Sequence, residues 1–180
     1  MRIAAVGRGN VGGGLARRWR AAGHDVTEIG RDGGDVSDAE VVVVAVPAGQ
    51  IAEALGGVTG LAGKPVIDTT NFFSGERPPF DSLAHQVQSI TGGPVAKSFN
   101  LNYAALYDQI DAQDQPPAQL FAADEGAREV AEQLIRDAGF EPVYAGGLEN
   151  ARVLEDAMRL WSAVSNGGLG RFFHRFFAPS

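Results

Sequence analysis

The chain has 180 residues, 44% hydrophobic and 21% charged, enough for one full domain with a sizeable core. Its net charge of −7 leaves no surplus of positive charge to displace counterions, which argues against a nucleic-acid or anionic-membrane partner. With no cysteine it can form neither disulfides nor thiolate metal sites, and no other metal site is expected.

In chain order, residues 3–6 read as a buried strand that runs straight into Gly7-Arg8-Gly9-Asn10-Val11-Gly12. A helix follows over residues 10–22, with Leu15, Trp19 and Ala22 on its buried stripe and Gly23 as its stop. Residues 25–29 form a second strand. The unbroken apolar run 41–46 marks a central strand covered on both faces. A short helix over 50–55 leads to a strand at 65–69, a helix at 81–89 and a strand at 94–99. Residues 111–118 read as a surface loop, followed by a strand at 120–123, a helix at 125–138 closed by Gly139, and a strand at 141–145. Such alternation predicts an α/β protein with a doubly wound parallel sheet, the Rossmann NAD(P)-binding fold.

From residue 149 the pattern turns helical, over 151–164 and again after Asn166-Gly-Gly. There Leu169, Phe172, Phe173, Phe176 and Phe177 would share one helical face. The predicted division is a dinucleotide-binding domain over 1–148 and a C-terminal helical segment over 149–180 that packs on the body or on a twin subunit. Met1 enters the first strand directly and no apolar run could span a bilayer, so a soluble cytoplasmic protein without membrane contact is expected.

Gly7, Gly9 and Gly12 between a strand and a helix form the pattern that brings backbone against a pyrophosphate. Gly7 makes the turn, Gly9 clears space for the phosphate, and Gly12 lets helix and strand approach. The helix N-terminus adds free N–H groups and the positive end of its dipole. At the end of the second strand, where an acid would select NAD, stand Gly30 and Arg31, which suit the 2′-phosphate of NADP. Arg8 is a second cation for the adenosine or pyrophosphate. The competing reading makes Glu28 the ribose ligand and Arg31 a solvated loop charge. Only nine residues separate Arg31 from Val41, too few for the usual crossover helix. The loop from Asp32 to Asp38 must then cover the adenine side alone, and is expected to move when the site is empty.

Other chemistry-bearing residues are sparse. His24 reads as a surface or capping histidine, and His85 and His174 as solvated. Lys97 is open between a ligand contact and a structural role. Asp68 reads as a buried architectural carboxylate, and Arg152 with Glu155 as a local helical pair.

Taken together, Gly7-Arg-Gly-Asn-Val-Gly12, Gly30-Arg31, Val44-Ala-Val-Pro47, Ile67-Asp-Thr-Thr-Asn71, Val95-Ala-Lys-Ser-Phe-Asn100, Phe121-Ala-Ala-Asp-Glu125 and Ala145-Gly-Gly-Leu-Glu-Asn-Ala-Arg-Val-Leu-Glu155 follow one another in order. The series resembles the coenzyme F420-dependent NADP oxidoreductase family, over nearly the whole chain. The resemblance implies that Gly7, Arg8, Gly9, Asn10, Val11 and Gly12 contact the pyrophosphate and that Gly30 and Arg31 take the 2′-phosphate. Ala45, Val46 and Pro47 would lie against ribose and nicotinamide, and Asn71, Asn100 and Asn102 would line the substrate cleft. Two departures stand out: the second crossover helix is missing, and the family's Asn-Pro after the fourth strand is Asn71-Phe72 here. The expected activity is hydride transfer between NADPH and a deazaflavin (coenzyme F420) or a similar flat, small-molecule redox acceptor, which requires no acid or base from the protein. The alternatives are a non-catalytic dinucleotide-binding module and an imine or keto-acid reductase, the latter needing a proton donor. A homodimer is the expected assembly.

Overall fold

The computed structural model describes residues 1–73 and 78–178. Among the described residues nine strands are formed: β1 (Arg2–Val6), β2 (Asp25–Ile29), β3 (Gly34–Asp35), β4 (Val41–Val44), β5 (Val58–Thr59), β6 (Val66–Asp68), β7 (Val95–Ser98), β8 (Ala118–Ala123) and β9 (Glu141–Tyr144). The helices are α1 (Asn10–Ala21), α2 (Ile51–Gly56), α3 (Leu83–Thr91), α4 (Glu125–Asp137) and α5 (Ala151–Val164). Seven strands build one sheet in the order β2-β1-β4-β6-β7-β8-β9, while β3 and β5 pair separately.

The run at β4 shows why the sheet lies inside the molecule. Val41 and Val43 join a core made with Leu15 and Trp19 of α1 and Leu134 and Ile135 of α4. Val42 and Val44 join another with Ile51 and Leu55 of α2 and Leu83 and Val87 of α3. Both faces are therefore covered, as a parallel strand without polar alternation requires. Trp19 is fully buried and its indole N–H donates to Leu134 O at 2.9 Å, tying α1 to α4. α5 packs over β7 and β8, with Leu154 against Leu101 and Ala122.

Three expectations are corrected. The sheet is parallel except at β7–β8, which is antiparallel, with Ser98 opposite Phe121. A parallel neighbour needs a crossover that carries the chain back along the sheet. The segment between β7 and β8 instead forms a 3₁₀ stretch, Ala104–Ala112, so β8 runs back the other way. α4 then restores a parallel β9.

The second correction concerns the loop after β2. It has no helix, as its length required, but it is tied down: β3 pairs with β5, and Lys64 Nζ donates to Ser37 O at 2.8 Å and Ala39 O at 2.6 Å. The third is the C-terminal helix expected after Asn166. α5 ends in a short π turn, Ser165–Leu169, and Gly168 (φ 117°) and Gly170 (φ 72°) take left-handed backbone that no helix continues through. The described chain beyond forms neither helix nor strand, and His174 O accepts from Ala118 N at 2.8 Å. The phenylalanines consequently do not share a face. Phe172 lies between Tyr103 and Trp161, and Phe173 packs on the main core. Phe176 and Phe177 are exposed. The expected segment 149–180 thus begins on the body of the protein; its last two residues lie outside the described ones.

Candidate functional site

β1 leads to β2 on one side of the sheet, and the chain then crosses to β4 on the other. The gap between the carboxyl ends of β1 and β4 is the topological switch point, where open α/β sheets bind ligands. A cleft of about 480 Å³ lies there, lined by Gly9, Asn10 and Val11 of the glycine loop, Ala45–Gly49, Thr69–Asn71 and Phe73.

The glycine loop meets the cleft with three different requirements. Gly7 has φ 114°, and a Cβ there would come 2.2 Å from Ala45 O. A Cβ on Gly12 would come 2.1 Å from Gly7 O, so the start of α1 touches the turn below it. A Cβ on Gly9 would meet nothing within 4 Å; its open side is space for a ligand. The first turn of α1 carries no acidic residue and no side-chain cap, which leaves its N–H groups available to an anion. Open space at Gly9 and an uncapped first turn fit a pyrophosphate.

At the tip of β2, Arg8 lies over Gly30: a Cβ on Gly30 would come 2.9 Å from the guanidinium carbon. Arg31 follows, exposed. Glu28 faces α1, where its Oε1 accepts from Arg20 Nη1 at 2.8 Å. Two cations border the tip of β2, with Asp32 next in the chain.

At the other end, β6 delivers Thr69, Thr70 and Asn71. Thr69 Oγ1 donates to Val44 O at 3.0 Å, joining the segment to β4. Asp68 Oδ1 accepts from Thr70 N at 2.9 Å. Lys97 Nζ donates to Asp68 Oδ2 at 2.8 Å and to Thr70 O, and lies 3.3 Å from Glu155 Oε1 of α5. Lys97 is therefore a structural residue behind the cleft wall. Glu155 pairs with it rather than with Arg152, whose Nε donates to Asp156 at 3.0 Å.

Of the three asparagines, Asn71 alone is on the cleft wall. Asn100 lies behind it, hydrogen-bonded to it, and 4% exposed. Asn102 turns away toward β8, where its Nδ2 donates to Ala118 O at 2.9 Å and Gln119 Oε1 at 2.8 Å. Thr69, Thr70 and Phe73 were missed; their signal was their place just past the strand ending at Asp68, the same edge that carries Gly7 and Ala45.

None of the three histidines lines the cleft. His24 bridges Asp137 (2.7 Å) and the N-terminal amine (3.1 Å). His85 pairs with Ser82 at the start of α3 (2.8 Å). His174, expected to be solvated, is half-buried against Trp161, and burial pushes its pKa down to about 4. None of the described cleft-lining residues carries an ionisable side chain. Among the described residues no group of three His, Asp or Glu could hold a metal ion, and no helix is long and apolar enough to cross a membrane.

No protein-family model and no curated protein matches the sequence. Among solved structures the chain is similar to a candidate F420-dependent NADP reductase from Arthrobacter sp. FB24, with 24% identity, 99% of each chain covered and a TM-score of 0.79. It is also similar to a hypothetical protein from Sinorhizobium meliloti, with 21% identity, 99% of this chain and 92% of that one covered, and a TM-score of 0.64. A reductive aminase from Aspergillus terreus, in complex with NADPH and ethyl levulinate, matches with 14% identity, 93% of this chain and 63% of that one covered, and a TM-score of 0.68. These likenesses establish the α/β fold.

Proposed function

We propose that this chain is an NADP-dependent oxidoreductase that passes hydride between NADPH and a deazaflavin such as coenzyme F420, or a similar flat acceptor. The observation that carries the cofactor choice is the tip of β2. Arg8 rests on Gly30, Arg31 stands beside it, and the nearest strand carboxylate, Glu28, is engaged by Arg20. A 2′-phosphate would find two guanidinium groups there, each able to make charge-assisted contacts.

Bound NADPH would supply the hydride itself. The chain's part is to hold and screen it: Gly7–Gly12 with the first turn of α1 would seat the pyrophosphate, and Ala45–Pro47 would lie along the ribose and nicotinamide. Asn71 would border the reactive end. The described lining offers no ionisable group there, which suits hydride transfer between two stacked rings and disfavours an imine or keto-acid reductase that needs a proton donor from the protein. The names of two structural neighbours, an NADP reductase and an NADPH-bound aminase, support the same cofactor.

The same unreactive lining favours a second reading, a dinucleotide-binding module without chemistry. A hydride-transfer assay separates the two: purified protein with NADPH or NADH and oxidised F420, flavin or ferric acceptors, followed optically. Turnover with a deazaflavin or flavin is expected. Micromolar NADP binding with no turnover on any acceptor would replace the enzyme by the module. A soluble, cytoplasmic homodimer is part of this proposal. Val153, Leu160 and Val164, exposed along one side of α5, would supply the apolar contact face, and sedimentation would report the assembly.

A further inference from the structure

Asn71 and Asn100 hold each other in orientations that the backbone dictates. Asn71 Nδ2 donates to Asn100 O at 2.7 Å. Because a carbonyl oxygen can only accept, the amide nitrogen of Asn71 has to be on that side. Asn100 Nδ2 donates to Leu154 O of α5 at 2.9 Å, which fixes the second amide in the same way. With both flips settled, Asn100 Nδ2 also donates to Asn71 Oδ1 at 3.0 Å. Asn71 keeps one N–H and one lone pair unused by this pair, on a residue that lines the cleft. A primary carboxamide, with one acceptor and one donor side by side, is the complementary ligand group.

Two unfavourable features converge on Asn100. Phe99, immediately before it, has φ 57°, the left-handed region, and is the one non-glycine residue with positive φ among those described. A bulky side chain in that region is strained. The ring is held by edge contacts to Trp19 at 5.8 Å and Phe140 at 6.2 Å. This left-handed residue turns the chain off β7. Asn100 is also 96% buried, since 4% is exposed, yet its Oδ1 has no hydrogen-bond partner among the described residues. Packing alone would favour neither feature. Strain and an unsatisfied acceptor at one short turn are what a positioning role leaves behind.

Resting on the cofactor reading above, we infer that Asn100 is a positioning residue. It locks the Asn71 carboxamide in the one orientation that pairs with the carboxamide of the nicotinamide ring, and so fixes the ring against the acceptor. Lys97, which donates to Thr70 O, steadies the preceding residue of the same wall.

The test is a two-by-two cycle: wild type and Asn100→Ala, each with NADPH and with the 3-acetylpyridine analogue of NADPH, whose ring carries a ketone in place of the carboxamide. Binding is read by ligand fluorescence and hydride transfer by stopped flow. For NADPH, Asn100→Ala should slow transfer at least about tenfold, the scale of a slightly misplaced ring, while the dissociation constant changes less than about threefold. With the analogue, whose ketone can accept the Asn71 N–H but cannot donate in return, the slowing should shrink to about threefold or less. Equal slowing of the variant with both ligands overturns the proposal while leaving the cofactor reading intact. Failure of the wild type to bind NADPH overturns the cofactor reading, and this inference with it. Should Asn100→Ala not fold, Asn71→Ala takes its place in the same cycle, with the same convergence expected.

Discussion

Lys97 Nζ of β7 lies 2.8 Å from Asp68 Oδ2 of β6, with both side chains fully shielded from water. Glu155 of α5 closes on the same ammonium at 3.3 Å. Moving such charges out of water is costly, so the arrangement holds only while each has its partners. Lys97→Met should therefore destabilise the protein by about 3–5 kcal/mol, because it takes the ammonium away from two buried carboxylates. Lys97→Met combined with Asp68→Asn should recover part of that loss, since Asn keeps an acceptor for Thr70 N. Denaturant titration of both variants decides; a loss under about 1 kcal/mol for Lys97→Met would mean that the ammonium is not an ionic keystone.

On the proposed function, cofactor choice is concentrated at Gly30 and its two arginines. Arg31→Ala should weaken NADPH binding by about 1.5–3 kcal/mol, the scale of a lost charged hydrogen bond, and leave NADH nearly unchanged. Gly30→Asp should act more broadly, because its Cβ would stand 2.9 Å from the Arg8 guanidinium and its carboxylate would repel a 2′-phosphate. A shift of preference toward NADH is expected from competitive titration. Equal losses for both cofactors in Arg31→Ala would refute the 2′-phosphate assignment.

The glycines of the loop should separate folding from binding. Gly12→Ala sets a Cβ 2.1 Å from Gly7 O, a contact that only backbone movement relieves, and should cost about 1–3 kcal/mol of stability. Gly9→Ala faces open space, and its φ of −74° suits any residue. It should leave the melting temperature within a degree or two while weakening NADP binding at least about tenfold, because the methyl group occupies the space meant for phosphate. Thermal melts with and without NADP are sufficient. A stability loss in Gly9→Ala equal to that in Gly12→Ala would remove the ligand role from Gly9.

What the sequence showed and hid follows from the range of the forces involved. The seven strands of the main sheet and α1 were legible because apolar runs and glycine punctuation are local signals, whereas the two-residue strands β3 and β5 are too short to leave one. The direction of β8 was not: nothing in Ala118–Ala123 encodes polarity, which depends on whether the connection from β7 forms a returning helix. The tail misled because helical spacing of Phe172, Phe173, Phe176 and Phe177 is a real pattern that Gly168 and Gly170 override. At the site, the edge of the sheet was predictable for Asn71 and Asn100. That Asn102 faces Ala118 depends on the antiparallel strand and could not be read locally. Likewise Glu155 has Arg152 three residues away, yet its partner is Lys97 from a distant strand.

The tail carries its own pH response. His174 stacks edge-on against Trp161 at 5.0 Å, and burial holds its folded pKa near 4, below the ordinary value of 6.5. Above pH 6.5 the ring is neutral in both folded and unfolded chains, and no penalty exists. As the pH falls from about 6.5 to about 4, the unfolded or detached tail takes up a proton that the docked tail does not. Docking is weakened across that window and no further below it. Discounted for the solvent that still reaches the ring, the loss should be about 1–2 kcal/mol. Trp161 fluorescence followed from pH 7 to 4 should change as the tail lifts, and His174→Phe should flatten that part of the titration. Identical profiles for the wild type and His174→Phe would show that the tail does not answer to this histidine.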